Sequence, residues 1–315
     1  MIISASRRTD IPAWYTEWFL RRVREGYVCV RNPMRLTQVS RVILTPKDCI
    51  VFWTKNPLPI LPRLEELGGI PFYFQFTLTA YGKDLEPCLP DRERLLEAFR
   101  QLARKIGPER TLWRYDPVLL TDCYTLDWHL ERFEAIARIL AGYTRVCTVS
   151  FLDLYAKIRG AVRECGMVRP SDETAMCLLE RFAELGVRNG MELRLCAESL
   201  DASRLGIVPA RCIDGELVER LTGSRPPRDR NQRPYCGCAA SVDIGVYDTC
   251  PSGCRYCYAV RGPAWVRRMR AEHDLDSPLL VGNLVPQDIV RDREDDRHGR
   301  LEQCSLFVQK GKNGA

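Results

Sequence analysis

The sequence holds no apolar run near the roughly 18–20 residues that span a bilayer, which excludes a transmembrane helix. Its first twelve residues, MIISASRRTDIP, put the apolar residues before the arginines and contain no signal-peptide core, so a cytoplasmic location is expected. Neither G-x-G-x-x-G nor G-x-x-x-x-G-K-[ST] occurs, which leaves a Gly-rich phosphate loop without support. No self-similarity at a period of about 20–50 residues suggests a solenoid. Histidine is scarce: only His129, His273 and His298 are present. Charge of one sign is not dominant either. Lys plus Arg number 47 against 41 Asp plus Glu, and the resulting +6 permits an anionic partner without requiring one.

What is present is ordinary globular material. Hydrophobic residues make up 45% and charged residues 28% of the 315, which excludes disorder, collagen and coiled coil as whole-chain descriptions. The length suits one large domain or two modest ones. Short β-branched and aromatic runs predict strands at Ile2–Ser6, Cys49–Thr54, Phe72–Thr79, Thr111–Asp116, Arg145–Phe151, Glu192–Cys196 and Val242–Tyr247. Helical stripes lie between them: Leu95, Leu96, Phe99 and Leu102 in 91–105, Leu130, Phe133, Ile136 and Leu140 in 126–140, and Met176, Leu179, Phe182 and Leu185 in 172–185. This alternation predicts an α/β fold with a mostly parallel sheet, as a full or partial (β/α) barrel, with an open doubly wound sheet as the alternative. One domain over 1–290 is expected, with a Cys-rich part at 196–260. Residues 224–234 (SRPPRDRNQRP) read as an exposed basic connection and 291–315 as a charged flexible tail.

The unusual number is 15 cysteines. A reducing compartment argues against a disulfide framework, leaving buried small hydrophobes or metal ligands, and spacing decides between them. Cys250-Pro-Ser-Gly-Cys254-Arg-Tyr-Cys257 is a C-x3-C-x2-C triplet directly after a predicted strand. Pro251 and Gly253 supply a tight loop. Three thiolates on one loop can hold one face of a cubane iron–sulfur cluster and leave the fourth iron without a protein ligand. A closed structural zinc site would want a fourth Cys or His at similar spacing, and no His lies nearby.

With Tyr256 before its last cysteine, this segment resembles the signature of radical S-adenosylmethionine (SAM) enzymes. The resemblance implies that Cys250, Cys254 and Cys257 bind a [4Fe–4S] cluster whose open iron is chelated by SAM. It further implies reductive cleavage to a 5′-deoxyadenosyl radical and a reductant such as flavodoxin or ferredoxin. In most of that superfamily the motif follows the first barrel strand. Here it follows the last, so the implied barrel is circularly permuted, and other SAM-contacting positions do not transfer by sequence order. Over residues 1 to about 290 the chain also resembles an uncharacterised bacterial and archaeal domain-of-unknown-function family. Its landmarks are SASRRTDIP (4–12), FWTKNP (52–57), FTLTAY (76–81), WRYDP (113–117), SFLDLY (150–155), Cys196-Ala-Glu198, Cys212-Ile-Asp214, NQR (231–233) and the triplet. Arg114-Tyr-Asp-Pro117 shows a shorter likeness to spore-photoproduct-lyase-like radical enzymes.

Four further cysteines, Cys196, Cys212, Cys236 and Cys238, make a plausible closed set for an auxiliary iron–sulfur cluster or a zinc ion; packed cysteines are the alternative. Gly237 would let the backbone pass close to a metal. Cys147 and Cys177 sit in apolar patterns and read as core. Polar residues cluster at the predicted strand ends: Ser4, Ser6, Arg7, Arg8 and Asp10; Thr54, Lys55 and Asn56; Thr77, Thr79 and Tyr81; Asp153. Among them Arg114, Asp116, Ser150 and Glu198 are candidates to contact SAM or substrate, Arg114 as a bidentate anion clamp and Asp116 or Glu198 through ribose hydroxyls. Trp53 and Trp113 are expected to pack rather than stack. The substrate is expected to be a nucleic-acid base or a small metabolite or peptide; the charge and the basic 225–233 loop favour the former. A different class of function, a non-catalytic zinc-stabilised nucleic-acid-binding protein, predicts zinc without iron.

Overall fold

All seven predicted runs form strands in the computed structural model, which describes residues 1–233 and 235–293. The chain opens with β1 (Ile2–Ala5), α1 (Ile11–Trp14) and α2 (Thr16–Glu25), then β2 (Tyr27–Arg31) and β3 (Gln38–Ile43). β4 (Cys49–Thr54), β5 (Phe72–Thr77), α3 (Arg92–Ile106), β6 (Thr111–Val118), α4 (Leu126–Leu140) and β7 (Val146–Phe151) continue it. They are followed by α5 (Arg159–Glu164), α6 (Asp172–Arg188), β8 (Glu192–Leu195), β9 (Val208–Pro209) and α7 (Gly215–Thr222). Last come β10 (Val242–Asp243), α8 (Pro263–Ala271) and β11 (Ile289–Asp292). No helix among the described residues is long and apolar enough to cross a membrane.

Eight strands form one parallel sheet in the order β10-β1-β4-β5-β6-β7-β8-β9. A full barrel is not what forms: among the described residues β10 and β9 are free edges, and the sheet stays open. The edge β9 is only two residues long and ends in Pro209, which cannot donate to a further ladder bond. β10 is the last of these strands in the chain yet sits beside β1, with Ile3 opposite Val242 and Ser4 opposite Asp243.

The helices form for the reasons their stripes predict. Leu95, Leu96, Phe99 and Leu102 of α3 are buried, as are Phe133, Ile136 and Leu140 of α4 and Leu179, Phe182 and Leu185 of α6. Thr125 caps α4 by accepting from Trp128 N, and Ser171 caps α6 by accepting from Thr174 N. Rings interlock beneath the sheet: Phe133 stacks on Phe182 at 4.1 Å and on Trp113 at 4.9 Å. Cys147 belongs to this core, but Cys177 is exposed. The buried stripe of α6 runs through Ala175, Leu178, Leu179 and Phe182, which puts position 177 on the outer face.

The opposite face of the sheet changes character along each strand. β1 runs Ile2, Ser4, Ser6; β5 runs Tyr73, Gln75, Thr77; β6 runs Leu112, Arg114, Asp116; β7 runs Val146, Thr148, Ser150. The apolar ends pack with Cys49 and Val51 against Ile213, Leu217 and Val218, so the segment bearing α7 plugs this end of the face. The polar ends, at the strand C-termini, are left for a cavity. Strands β11, β3 and β2 form a separate three-stranded sheet beside it. Arg291 and Asp292, expected in the tail, pair there with Ser40 and Arg41; residues 294–315 of that tail, with Cys304 and His298, lie outside the described residues.

Candidate active site at the strand C-termini

A cavity of about 1490 Å³ opens over the C-terminal ends of the parallel strands. Ser6, Arg7, Arg8 and Asp10 line it from the end of β1, Thr54 and Lys55 from β4, and Thr77 from β5. Arg114, Asp116, Ser150 and Asp153 complete the floor. Both cysteine sets border the same space: Cys250, Cys254 and Cys257 on one side, Cys196, Cys212, Cys236 and Cys238 on the other. Ser4, Asn56, Thr79, Tyr81 and Glu198 are not among the lining residues.

Asp243 organises the β10 side. Its carboxylate accepts from Ser4 Oγ at 3.0 Å, Ser6 Oγ at 2.6 Å, Arg7 N at 2.8 Å and Gly245 N at 3.0 Å. Arg7 and Arg8 flank it at 3.9 and 4.0 Å. This cradle closes only because residue 245 lacks a side chain: a Cβ there would stand 2.1 Å from Ser6 Oγ. The predicted strand 242–247 accordingly ends at Asp243, whose side chain bonds the backbone that turns away.

The triplet loop follows. Ser252 bridges it to α1, accepting from Trp14 Nε1 at 2.9 Å and from Cys250 Sγ at 3.3 Å. Burial pushes the Cys250 thiol up to about 12, with Asp10 and Cys257 adding to the rise, and it lifts Cys254 well above its ordinary range. Cys254 and Cys257 both face the Lys55 ammonium, which favours their thiolates. Lys55 is itself held by Glu86 at 2.8 Å, and Glu86 also accepts from Thr79 Oγ1 at 2.7 Å and from the Tyr256 hydroxyl. Burial works against the Lys55 charge, but Glu86, Cys254 and Asp116 together raise its pKa. Asp10 accepts from Ala13 N and Lys55 N, at 3.0 and 2.8 Å, and burial pushes its carboxyl up to about 6.

Across the cavity, Arg114 is engaged on two sides. Its Nε donates to Asp116 at 3.1 Å and its Nη1 to Cys212 Sγ at 2.8 Å. Asp116 also accepts from Ser150 Oγ. Desolvation works against both charges, yet Arg114 holds Asp116 below the usual carboxylate range. Trp53 is half-buried with the Arg7 and Arg114 guanidinium groups over its ring at 5.9 and 5.3 Å, whereas Trp113 is fully buried and donates to Leu78 O. Glu198 stands apart from the cavity lining: it accepts from Phe151 N at 2.9 Å and from Arg169 at 2.6 Å, which ties the loop after β8 to the C-terminal end of β7.

The second cysteine set is assembled from three separate segments. Cys196 Sγ and Cys212 Sγ are 3.3 Å apart. Cys212 and the buried Cys238 belong to one apolar cluster, against which Cys196 and Cys236 pack. Interaction with Cys238 lowers the Cys236 thiol to about 7 despite burial. At Gly237 the backbone passes close to Arg211, whose Cγ would stand 3.0 Å from an added Cβ. Among the described residues, no three or more Cys, His, Asp or Glu side chains already stand in a metal-ligating arrangement.

Residues 2–259 match the family model described as "Domain of unknown function (DUF1848)". The chain belongs to that family. No curated protein matches it. The DUF1848 match ends just past Cys257, so both cysteine sets and the whole strand-end floor lie inside it, while the cavity wall at 289–293 lies outside. Two structural partners of the site were not read from the sequence. Asp243 was seen only as part of a strand, and Glu86 lies in a stretch without periodicity, 31 residues from the Lys55 it holds.

Proposed function

We propose that this protein is a radical SAM enzyme whose [4Fe–4S] cluster is held by Cys250, Cys254 and Cys257. The observation that carries the reading is the loop bearing those three thiols, set at the rim of a polar cavity over the C-terminal ends of parallel strands, where α/β folds build their sites. The donor set fits the group: three half-buried thiols from one loop line the cavity and would hold three irons of a cluster, which would leave the fourth without a protein ligand. Two buried hydroxyls on the cavity wall, Thr9 Oγ1 and Ser241 Oγ, have no hydrogen-bond partner among the described residues, which suits a polar ligand. When bound, the cluster would supply one electron, drawn from a flavodoxin- or ferredoxin-like reductant, for reductive cleavage of SAM to methionine and a 5′-deoxyadenosyl radical.

This chain's residues do the positioning. Asp243 fixes the loop after β1, so the Arg7 and Arg8 side chains are aimed without rearrangement. Arg114, Asp116 and Ser150 form a pre-bonded floor that orients a polar substrate or the cofactor. Lys55, held in place and kept charged by Glu86, offsets thiolate charge at Cys254 and Cys257. Glu198 has no part in this contact set. The arginines on the walls suit an anionic substrate, for which a nucleic-acid base is one form; oligonucleotide binding that weakens steeply with salt supports that form, and salt-insensitive or absent binding rejects it.

Metal and sulfide quantification after anaerobic purification tests the cluster itself. Wild type is expected to carry roughly four irons and four sulfides at the triplet. A triple Cys250/Cys254/Cys257→Ala variant should lose them. Zinc without iron in wild type would instead favour a non-catalytic zinc-stabilised protein.

A further inference from the structure

We infer that Arg7 and Arg8 form a phosphate subsite in the cavity wall, which holds a phosphate group of the substrate beside the triplet loop. Donors and acceptors do not balance there without one. Among the described residues, the acid within 4.0 Å of these guanidinium groups is Asp243, at 3.9 Å from Arg7 and 4.0 Å from Arg8. A carboxylate offers about four lone-pair positions, and those of Asp243 are taken. Its Oδ1 accepts from Ser6 Oγ and Gly245 N, and its Oδ2 from Ser4 Oγ and Arg7 N. Asp243 therefore lends charge but no acceptor, and both guanidinium groups stand off from it. Each carries five N–H donors. Of these, one bond to the described residues forms, from Arg8 Nη1 to Gly245 O at 3.4 Å. Both side chains are largely enclosed, 29% and 20% exposed, and both line the cavity.

The surroundings favour a phosphate. Arg8 and Lys157 stand 5.2 and 4.8 Å from the centroid of the Tyr247 ring, and an aromatic face holds a cation without neutralising it. Three cations thus answer to one carboxylate. Thr9 Oγ1, on the same wall, is buried and has no partner among the described residues. One guanidinium fork satisfies a carboxylate; two adjacent forks and a hydroxyl match the three acceptor oxygens of a phosphate monoester, which carries about −1.5 to −2. The backbone is already fixed for this. Arg8 N donates to Ser6 Oγ at 2.9 Å, and Tyr258 Oη donates to Arg7 O at 2.7 Å. Tyr258 directly follows Cys257, so the subsite abuts the triplet loop. That the phosphate belongs to a substrate rests on the radical-enzyme reading; that the subsite binds phosphate does not.

Equilibrium dialysis of full-length, anaerobically purified protein against radiolabelled inorganic phosphate reads the subsite without SAM or reductant. Wild type is expected to bind phosphate saturably. Acetate, which accepts fewer charge-assisted bonds, should displace it only at about tenfold higher concentration or more. Arg7→Gln and Arg8→Gln should each weaken binding about tenfold or more. Arg138→Gln, exposed on α4 beside Glu134, should leave it unchanged. Competition then names the source. Displacement by glycerol phosphate but not glycerol marks a small phosphate ester, and displacement only by an oligonucleotide with a free 5′-hydroxyl marks a nucleic-acid strand. Absence of saturable binding, equal displacement by acetate or glycerol, or folded Gln variants that bind like wild type would each overturn the inference. Phosphate that neither the ester nor the oligonucleotide displaces is an adventitious ion only, and overturns it too. The competition series uses wild type alone, so it decides even if a variant fails to fold. Phosphate binding without 5′-deoxyadenosine formation would remove the enzyme reading and leave the subsite; the reverse would remove the subsite alone.

Discussion

Arg114 reaches Cys212 with one guanidinium nitrogen at 2.8 Å while its other nitrogens hold Asp116, so a single buried cation joins the second cysteine set to the cavity floor. Three segments distant in sequence meet there: β6, the loop after β9 and, through Ser150, the end of β7. The placement follows from sheet periodicity. Residues 112, 114 and 116 share one face, and the register brings Arg114 between Thr77 and Thr148.

Removing that cation should be costly. Arg114→Ala leaves the partly buried Asp116 charge without its partner, and a loss of up to about 3 kcal/mol is expected. Arg114→Lys keeps the charge but cannot fork between sulfur and carboxylate, so an intermediate loss is expected. Urea unfolding of both variants measures this. Equal stability of wild type and Arg114→Ala would refute the coupling.

Gly245 offers a sharper steric contrast. In Gly245→Ala the new Cβ would collide with Ser6 and break the Asp243 cradle, with an expected cost of about 1–3 kcal/mol. Gly160→Ala, within α5 and with nothing within 4 Å of its Cβ, should be neutral or stabilising by up to about 1 kcal/mol. Thermal denaturation of the pair decides. Similar melting temperatures would show that the cradle yields.

His129 should give the fold a pH dependence. Its Nε2 donates to Leu119 O at 2.7 Å and its Nδ1 accepts from Tyr115 Oη at 2.9 Å, so the neutral ring is the one the core satisfies. Burial lowers its pKa to about 4 from an ordinary value near 6.5. Between these values the unfolded chain binds a proton that the folded chain refuses. The contribution is therefore complete above about pH 6.5 and shrinks as pH falls toward 4, by up to about 3 kcal/mol. His129→Gln should be less stable at pH 7.5 but show a flatter decline between pH 6.5 and 5 in urea titrations. An unchanged slope would contradict the assignment.

Much of this architecture is legible in the sequence because the central strands are buried on both faces and read as continuous apolar runs. Phe72–Thr77 and Val146–Phe151 are examples. The strands that escaped are those set by pairing. In β2 and β3, Arg31, Gln38 and Arg41 interrupt the run, and the hairpin is held by main-chain bonds to its partner. β11 is exposed at every position and exists as a strand only against β3. The site divides in the same way. Cys250, Cys254 and Cys257 announce themselves by spacing, and Arg114, Asp116 and Ser150 by strand ends. Glu198 sits in the same kind of position, but Arg169 claims it from 29 residues away. Glu86 and Asp243 act through partners that only the folded chain brings near.

Turnover of SAM is the most direct test of the proposed cluster chemistry at Cys250, Cys254 and Cys257. Anaerobically reconstituted wild type, reduced with dithionite in the presence of SAM, is predicted to release 5′-deoxyadenosine, while Cys254→Ala treated identically is predicted to release none. No 5′-deoxyadenosine from iron-loaded wild type, or undiminished release from Cys254→Ala, would contradict it.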